Sequence, residues 1–465
     1  MIGRRGHPAK PGPAATAGHA RAALALLFAA GLGMTPGPAR AEWQQPDPSL
    51  RDAQLDLRQA LRDTVGASGD PVRLDTLAIS LFRLGRFEDA EKLFHRVLDL
   101  RPGDVGARAA LGKLALFRDH AAEAESLLSS VADVDALARA DLYALRLRRG
   151  EYGPAAEMAA EVGEAGREPL LRELAEGGAY LVSQERDEVR LQLVRLWPAP
   201  IVRVRLNGES VLMVLDSGLA DVLLDDGAAR RCKVHSLPSE APAFWSGTRI
   251  AVRNALIQKL ELGGARIERV PAGVFELGRY SLEINPQSEH VAGVIGANLL
   301  RRFTPTLDYG TQTLILRRNG VSYAPAGIAL GVPFELWGEC ELTVYGSLAD
   351  GRRMAMMVAI GLPGCGAAAP KQVFDELGVK PGMTASLGRS GSWLRASPWI
   401  GVTVPSVSVG QMVRERVPGW SDAMEYRELW RHGVRRDAIL AGDFFRGRRL
   451  TIDWQALRLV IEQER

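Results

Sequence analysis

The C-terminal part of this sequence repeats itself at an offset of 143–145 residues. Asn207-Gly208 returns as Asp350-Gly351, the apolar run 211–215 as 354–358, Gly218 as Gly361 and Leu219 as Leu362. Further along, Leu299-Leu300 returns as Phe444-Phe445, and Thr306-Leu307-Asp308-Tyr309 as Thr451-Ile452-Asp453-Trp454. A duplication of this kind restricts the fold more than composition can, because whatever the first copy forms, the second must form as well. The elements read as strands. Residues 201–206 alternate, Asn207-Gly208 supplies a tight hairpin turn, and 211–215 is the continuous apolar run of a buried strand. Two β-rich lobes, 198–320 and 328–465, are therefore expected to superimpose, with Asp216 and Ala359 facing each other near a pseudo-twofold axis.

Ahead of the duplication, residues 73–165 carry a different repeat with a period near 34. Leu77-Ala78, Gly85, Phe87, Ala90, Phe94, Val97 and Pro102 mark the first unit. Leu111-Gly112, Ala124, Leu128 and Val131 mark the second, and Gly150, Tyr152, Ala155, Ala159 and Val162 the third. Small residues let the two helices of a hairpin approach, and large ones at helical spacing fill the groove to the next hairpin. Arg101-Pro102-Gly103-Asp104 ends a unit, since Pro cannot continue a helix and Gly readily leaves it. The pattern resembles the tetratricopeptide repeat. Runs at 52–64 and 168–180 cap the stack, giving a helical region over 50–185. The resemblance implies either a face that holds a protein partner, or a spacer or dock for the next domain. The fold class is thus multidomain: all-α tetratricopeptide-like helical hairpins followed by a mainly-β bilobal region.

The strand 211–215 runs directly into Asp216-Ser217-Gly218, and Gly293-Val294-Ile295-Gly296-Ala297-Asn298-Leu299-Leu300 follows downstream. A carboxylate at the end of a buried strand is rigidly held, and Gly lets the backbone turn there and donate hydrogen bonds. An isolated Asp-Ser-Gly is usually a turn. Placed after an apolar strand and followed by the second motif, it resembles a retropepsin-like or pepsin-like aspartic protease lobe. With the duplication, 198–465 resembles the two-lobed arrangement whose active site lies between the lobes. The resemblance implies a catalytic role for Asp216, a hydroxyl from Ser217 that ties one lobe to the other, a backbone role for Gly218, no cofactor, no metal, and a polypeptide substrate or ligand in the interlobe cleft.

The second lobe departs from the pattern where the chemistry is concentrated. Asp216, Ser217 and Gly218 align with Ala359, Ile360 and Gly361. The family's reaction uses two carboxylates that share one proton around a water, one acting as base and the other polarising the scissile carbonyl. Like charges a few ångströms apart split their pKa values. Ala359 does neither job, and Asp216 alone is expected to be an ordinary, largely ionised carboxylate. The leading expectation is a peptide-binding cleft with impaired or lost proteolysis. One alternative is an active endopeptidase that pairs Asp216 with Asp216 of a second copy. The other is a protein-binding scaffold that works through the repeats.

Other polar residues have simpler readings. Asp221, Asp225 and Asp226 are expected in a solvated loop, Asp308 and Asp453 at structural turns, and Asp375 on the surface. Asp443 matches Asn298. His235, His290 and His432 have no companion at metal-ligand spacing and are expected at the surface or in the cleft. Trp245 and the stretch to Ile257 would form a hairpin over the cleft or a plain edge hairpin. Three cysteines, Cys232, Cys340 and Cys365, make neither a disulfide scaffold nor a zinc pattern, and no pairing can be chosen. A net charge of +3, from 58 basic and 55 acidic residues, gives no case for nucleic acid.

At the N-terminus, Arg4, Arg5, Lys10 and Arg21 precede an apolar run at 22–34, and Ala39-Arg40-Ala41 follows. This pattern reads as a secretory signal over 1–41, cleaved before Glu42, and a retained anchor is the alternative. After cleavage no membrane segment is expected. In a bacterium the chain would then be periplasmic or secreted.

Overall fold

The helices of the N-terminal region start where side chains take over their free N–H groups. In this computed structural model, Ser49 caps α1 (Leu50–Thr64) in a reciprocal capping box with Asp52. Asp70 caps α2 (Pro71–Arg83), whose Pro71 needs no donor. Helix α3 (Phe87–Leu100) has no side-chain cap. Asp104 caps α4 (Val105–Phe117), which is followed by α5 (Ala121–Ser129). Asp135 caps α6 (Ala136–Arg149), which Gly150 ends in the left-handed conformation at φ 72°. Helices α7 (Tyr152–Met158) and α8 (Glu168–Gly177) follow. Helices α2/α3, α4/α5 and α6/α7 are the three hairpins that the period predicts, and α1 and α8 flank them. Gly112 shows why small residues recur: a Cβ there would come within 2.8 Å of Leu128.

The structure describes residues 49–465 except 66–68, 246–247, 279–280, 282–283, 286–288, 326, 381–399, 422–428 and 464–465. The expected signal segment lies outside the described residues. No described helix is long and apolar enough to cross a membrane.

Strands begin before Pro198. Strand β1 (Leu181–Gln184) lies inside the span expected to be helical, and β2 (Glu188–Arg195) lies between the two expected regions. Lobe 1 continues with β3 (Ile201–Leu206), β4 (Glu209–Leu215), β5 (Val222–Asp225), β6 (His235–Trp245), β7 (Thr248–Leu262), β8 (Ala265–Phe275), β9 (Val291–Ile295), β10 (Phe303–Asp308) and β11 (Thr313–Arg318). Lobe 2 comprises β12 (Ala329–Pro333), β13 (Glu335–Trp337), β14 (Glu341–Leu348), β15 (Met354–Ala359), β16 (Ala367–Ala369), β17 (Ile400–Val409), β18 (Met412–Ser421), β19 (Ala438–Ala441), β20 (Arg448–Asp453) and β21 (Arg458–Gln463).

The duplication is explicit in the pairing. In lobe 1, β4 runs parallel to β9, β9 antiparallel to β5, and β5 parallel to β8. In lobe 2, β15 runs parallel to β19, β19 antiparallel to β16, and β16 parallel to β18. A shared sheet in the order β12-β21-β20-β10-β11-β2 joins the lobes. At its centre Thr306 pairs with Thr451, and their hydroxyls lie 2.6 Å apart. One apolar core cluster runs through both lobes.

The helical region packs on both lobes. Trp337 of lobe 2 is fully buried and stacks on Phe117 of α4 with ring centroids 5.0 Å apart. Arg148 of α6, also buried, donates to the carbonyls of Leu336 (3.0 Å), Gly338 (2.6 Å) and Glu339 (3.3 Å). Lobe 1 meets the helices through a small apolar patch, Leu170 and Leu174 of α8 against Leu237 and Leu256, and through polar contacts. Arg269 Nη2 donates to Glu173 O at 2.6 Å, and Asn254 Nδ2 to Gly166 O at 2.6 Å. The helical region thus packs against the β region.

Candidate functional site

Strand β4 ends at Leu215, and the N–H of Asp216 donates to Ile295 O of β9 at 2.9 Å, which fixes the next three residues at the junction of the lobes. Asp216 Oδ1 accepts from Gly218 N–H at 2.9 Å and from Gly361 N–H of the other lobe at 3.1 Å. A Cβ on Gly218 would lie 2.5 Å from the Cβ of Ala359, and one on Gly361 would overlap Asp216. Asp216 and Ala359 therefore occupy equivalent places on either side of the axis, each closed over by the other lobe's glycine.

Ser217 is buried and makes a one-way tie. Its Oγ donates to Val358 O at 2.7 Å and accepts from Ile360 N–H at 3.2 Å. Ile360 has no hydroxyl with which to return these bonds.

The expected ordinary behaviour of Asp216 needs correction. Burial pushes its carboxyl above the usual value, and the two glycine N–H groups pull only partly back. No charged group among the described residues contributes to the shift.

A cavity of about 370 Å³ opens beside the motif, lined by Ser217, Gly218 and Leu219 of lobe 1, Gly338 and Glu339 of lobe 2, and Tyr143 of α6. A polar network that the sequence did not announce crosses it. Arg167 pairs with Asp221 at 2.9 Å and with Glu339 at 3.2 Å. Asn298 Nδ2 donates to Asp221 (2.9 Å) and to Glu339 (2.6 Å), and the Tyr180 hydroxyl donates to Asp221 at 3.0 Å. Asp221 is thus bound into the junction of all three regions rather than solvated. Asn298, quoted as part of the downstream motif, was a signal that could have led there; Arg167 sits on a short turn with no periodic mark.

The remaining candidates separate cleanly. Asp225 is not solvated as expected but buried, because it caps Asp226–Arg231, accepting from Ala228 N–H at 3.2 Å, and Asp226 pairs with Arg230 and Arg253. Asp308 accepts from the N–H groups of Gly310 and Thr311, and Asp453 from that of Ala456, so both hold turns. Asp443 pairs with Arg446 at 2.7 Å. Asp375 is exposed and pairs with Lys371. His235 is exposed, whereas His432 lines the cavity, mostly buried, 3.1 Å from Glu341. Burial pushes His432 down; burial also acts to raise Glu341, but Arg436, His432 and Arg431 hold it well below the usual range. Strands β6 and β7 form the expected long hairpin, and the side chain of Trp245 lies outside the described residues. All three cysteines are free and buried. No metal-holding group of His, Cys, Asp or Glu occurs among the described residues.

Two family models match parts of this chain. Residues 202–299 match the aspartyl protease family, and residues 81–149 match the tetratricopeptide repeat. The first match ends before lobe 2 begins. No curated protein matches the chain. Among solved structures, the aspartic proteinase from Irpex lacteus is similar at 10% identity, over 59% of this chain and 97% of its own, with a TM-score of 0.38. The chain carries an aspartyl protease domain preceded by a tetratricopeptide repeat.

Proposed function

We propose that this is an exported protein whose interlobe cleft binds polypeptide and no longer cleaves it. The observation that carries the reading is the pairing of Asp216 with Ala359 across the lobe junction. Water attack on a peptide bond needs a base and a proton donor in one site. Asp216 supplies one carboxylate, Ala359 supplies none, and no described neighbour adds a charge. Export is supported by the basic stretch, the apolar run at 22–34 and Ala39-Arg40-Ala41.

The test is cleavage of unstructured polypeptide at acidic pH by the purified chain. Activity at background is expected, since each positioned acid or base contributes about 10²–10⁴-fold. Ala359→Asp with Ile360→Ser rebuilds the shared-proton pair together with the return hydroxyl, and should raise activity more than Ala359→Asp alone. Robust cleavage by the wild-type monomer, abolished by Asp216→Ala, would overturn the reading. Cleavage that needs both Asp216 and dimerisation would favour the paired-copy alternative, in which lobe 2 must leave the Thr306–Thr451 contact. Sequencing of the exported protein should find Glu42 first.

A further inference from the structure

An extended polypeptide can run through a cleft between two lobes only if the cleft is open at both ends. Beside Gly218 the helical region stands across the way. The cavity there, about 370 Å³, is walled by Ala140, Ala144 and Leu147 of α6 and by Val162 and Leu170 further along the helical region. That volume is near the lower end of ligand clefts, about 300–1,000 Å³. An extended chain advances about 3.3–3.6 Å per residue, so the cavity takes a residue or two and not a continuing chain.

The helical wall is braced on both lobes. Toward lobe 1, Asn254 Nδ2 donates to Gly166 O at 2.6 Å, a Cβ on Gly166 would overlap Glu240 O, and Leu170 and Leu174 pack on Leu237 and Leu256. Toward lobe 2, Phe117 stacks on Trp337, and Arg148, next to Leu147 in α6, donates to the carbonyls of Leu336, Gly338 and Glu339. Arg167 spans the gap between these two attachments, paired with Asp221 of lobe 1 and Glu339 of lobe 2. Moving the wall aside would break contacts with both lobes at once, so a chain that enters the cavity has to end there. The side chains that would meet its last residue include Leu147, Val162 and Leu170 of the helical region and Leu219, Leu223 and Val252 of lobe 1. An apolar end residue would leave water against them.

We propose that this cavity seats one end of the bound polypeptide through an apolar terminal residue, with the helical region as the stop that keeps the chain from running through the cleft. The proposal rests on the polypeptide-binding reading above.

Three peptides test it by fluorescence anisotropy on the full chain. All share one unstructured sequence with Phe at each end and a fluorophore on a central Cys. All are acetylated and amidated, so that end charges play no part. The first has no extension, the second carries a Gly-Ser stretch of about ten residues before its first Phe, and the third carries the same stretch after its last Phe. One of the two extensions should weaken binding about tenfold or more, and the other should change it little. Replacing Phe by Ser at the sensitive end should also weaken the unextended peptide about tenfold or more. Ala144→Phe, at a half-buried position, fills the cavity from the helical side and should weaken the unextended peptide about tenfold without lowering the thermal unfolding midpoint. Should that variant fail to fold, the peptide series on the wild-type chain decides alone. Equal binding of all three peptides, equal weakening by both extensions, or no loss from the Ser replacement would overturn the proposal while leaving the cleft reading intact. Undiminished binding by a folded Ala144→Phe chain would overturn it as well. Binding of none of the peptides would overturn both readings.

Discussion

Lobe 1 closes its central strand with Asp216-Ser217-Gly218, and lobe 2 closes the equivalent strand with Ala359-Ile360-Gly361. Of the three positions only the glycine is kept, and its reason is steric. Each glycine leaves room for the residue at the other lobe's strand end, Ala359 in one case and Asp216 in the other. The hydroxyl tie runs one way, from Ser217 to Val358 O and Ile360 N–H. The lobes thus keep a common backbone with half of the polar tie, because a continuous apolar core and the shared sheet carry the association. They also divide other tasks. Lobe 1 holds the carboxylate, and lobe 2 holds the aromatic anchor to the helices.

The anchor gives the largest expected effect. Trp337→Ala removes a fully buried indole that stacks on Phe117 and should lower unfolding free energy by about 3–5 kcal/mol in a urea titration. The matching change on the lobe 1 side, Asn254→Ala, deletes its hydrogen bonds to Gly166 O and Ser239 and should cost about 1 kcal/mol. Similar losses for the two would mean that the Asn254 tie matters as much as the aromatic stack, and the contrast between these two attachments would fail.

The sequence made the duplication readable because strand pairing preserves spacing. A turn at Asn207-Gly208 or Asp350-Gly351 must lie a fixed distance from the strand end it serves, so the offset survives even though Ala359 stands where the first lobe has Asp216. The same logic located Asp216 opposite Ala359 and the three helical hairpins. The helix-to-lobe docking was not readable, because Trp337 and Arg148 act as single residues meeting partners far away in the chain, and neither creates a period. Asp221 was misread for a related reason. Its neighbours Arg167, Asn298 and Glu339 come from three separate regions, so a local acidic cluster looked solvated. Strand β1 was missed as part of the sheet because it pairs with β8, well downstream; β2 joins β11 to its neighbour β3 across a register shift between Leu193 and Arg195.

The glycines sharpen the comparison of the two backbones. Gly218→Ala and Gly361→Ala each insert a methyl where the other lobe leaves no space, and overpacking of this kind costs about 1–3 kcal/mol. The two losses, measured separately by thermal or urea unfolding, should agree within about 1 kcal/mol. Free tolerance of Gly361→Ala alone would mean that lobe 2 has relaxed around its altered site, and that the shared backbone no longer extends to the junction.

The smallest effect concerns charge, and its sign distinguishes a lone carboxylate from a paired one. Burial raises the Asp216 carboxyl above its ordinary value of 3.8, so the folded state favours the proton more than the unfolded chain does. The stabilisation from that proton is fully present below the unfolded value and is lost as pH rises through the folded one. Asp216→Asn keeps the shape and an oxygen to accept from Gly218 and Gly361, but never ionises. Its unfolding midpoint relative to wild type should therefore rise from acidic to neutral pH and then level off. The opposite trend, with Asn losing ground as pH rises, would require a cation or an added donor beside Asp216 that favours the ionised form. A carboxylate sharing a proton with another acid would also favour Asn toward neutral pH, but the rise would extend to higher pH and would shrink when the second acid was removed. With Ala359 in that place the wild-type curve should match the lone-carboxylate case, and Ala359→Asp should move the rise upward in pH.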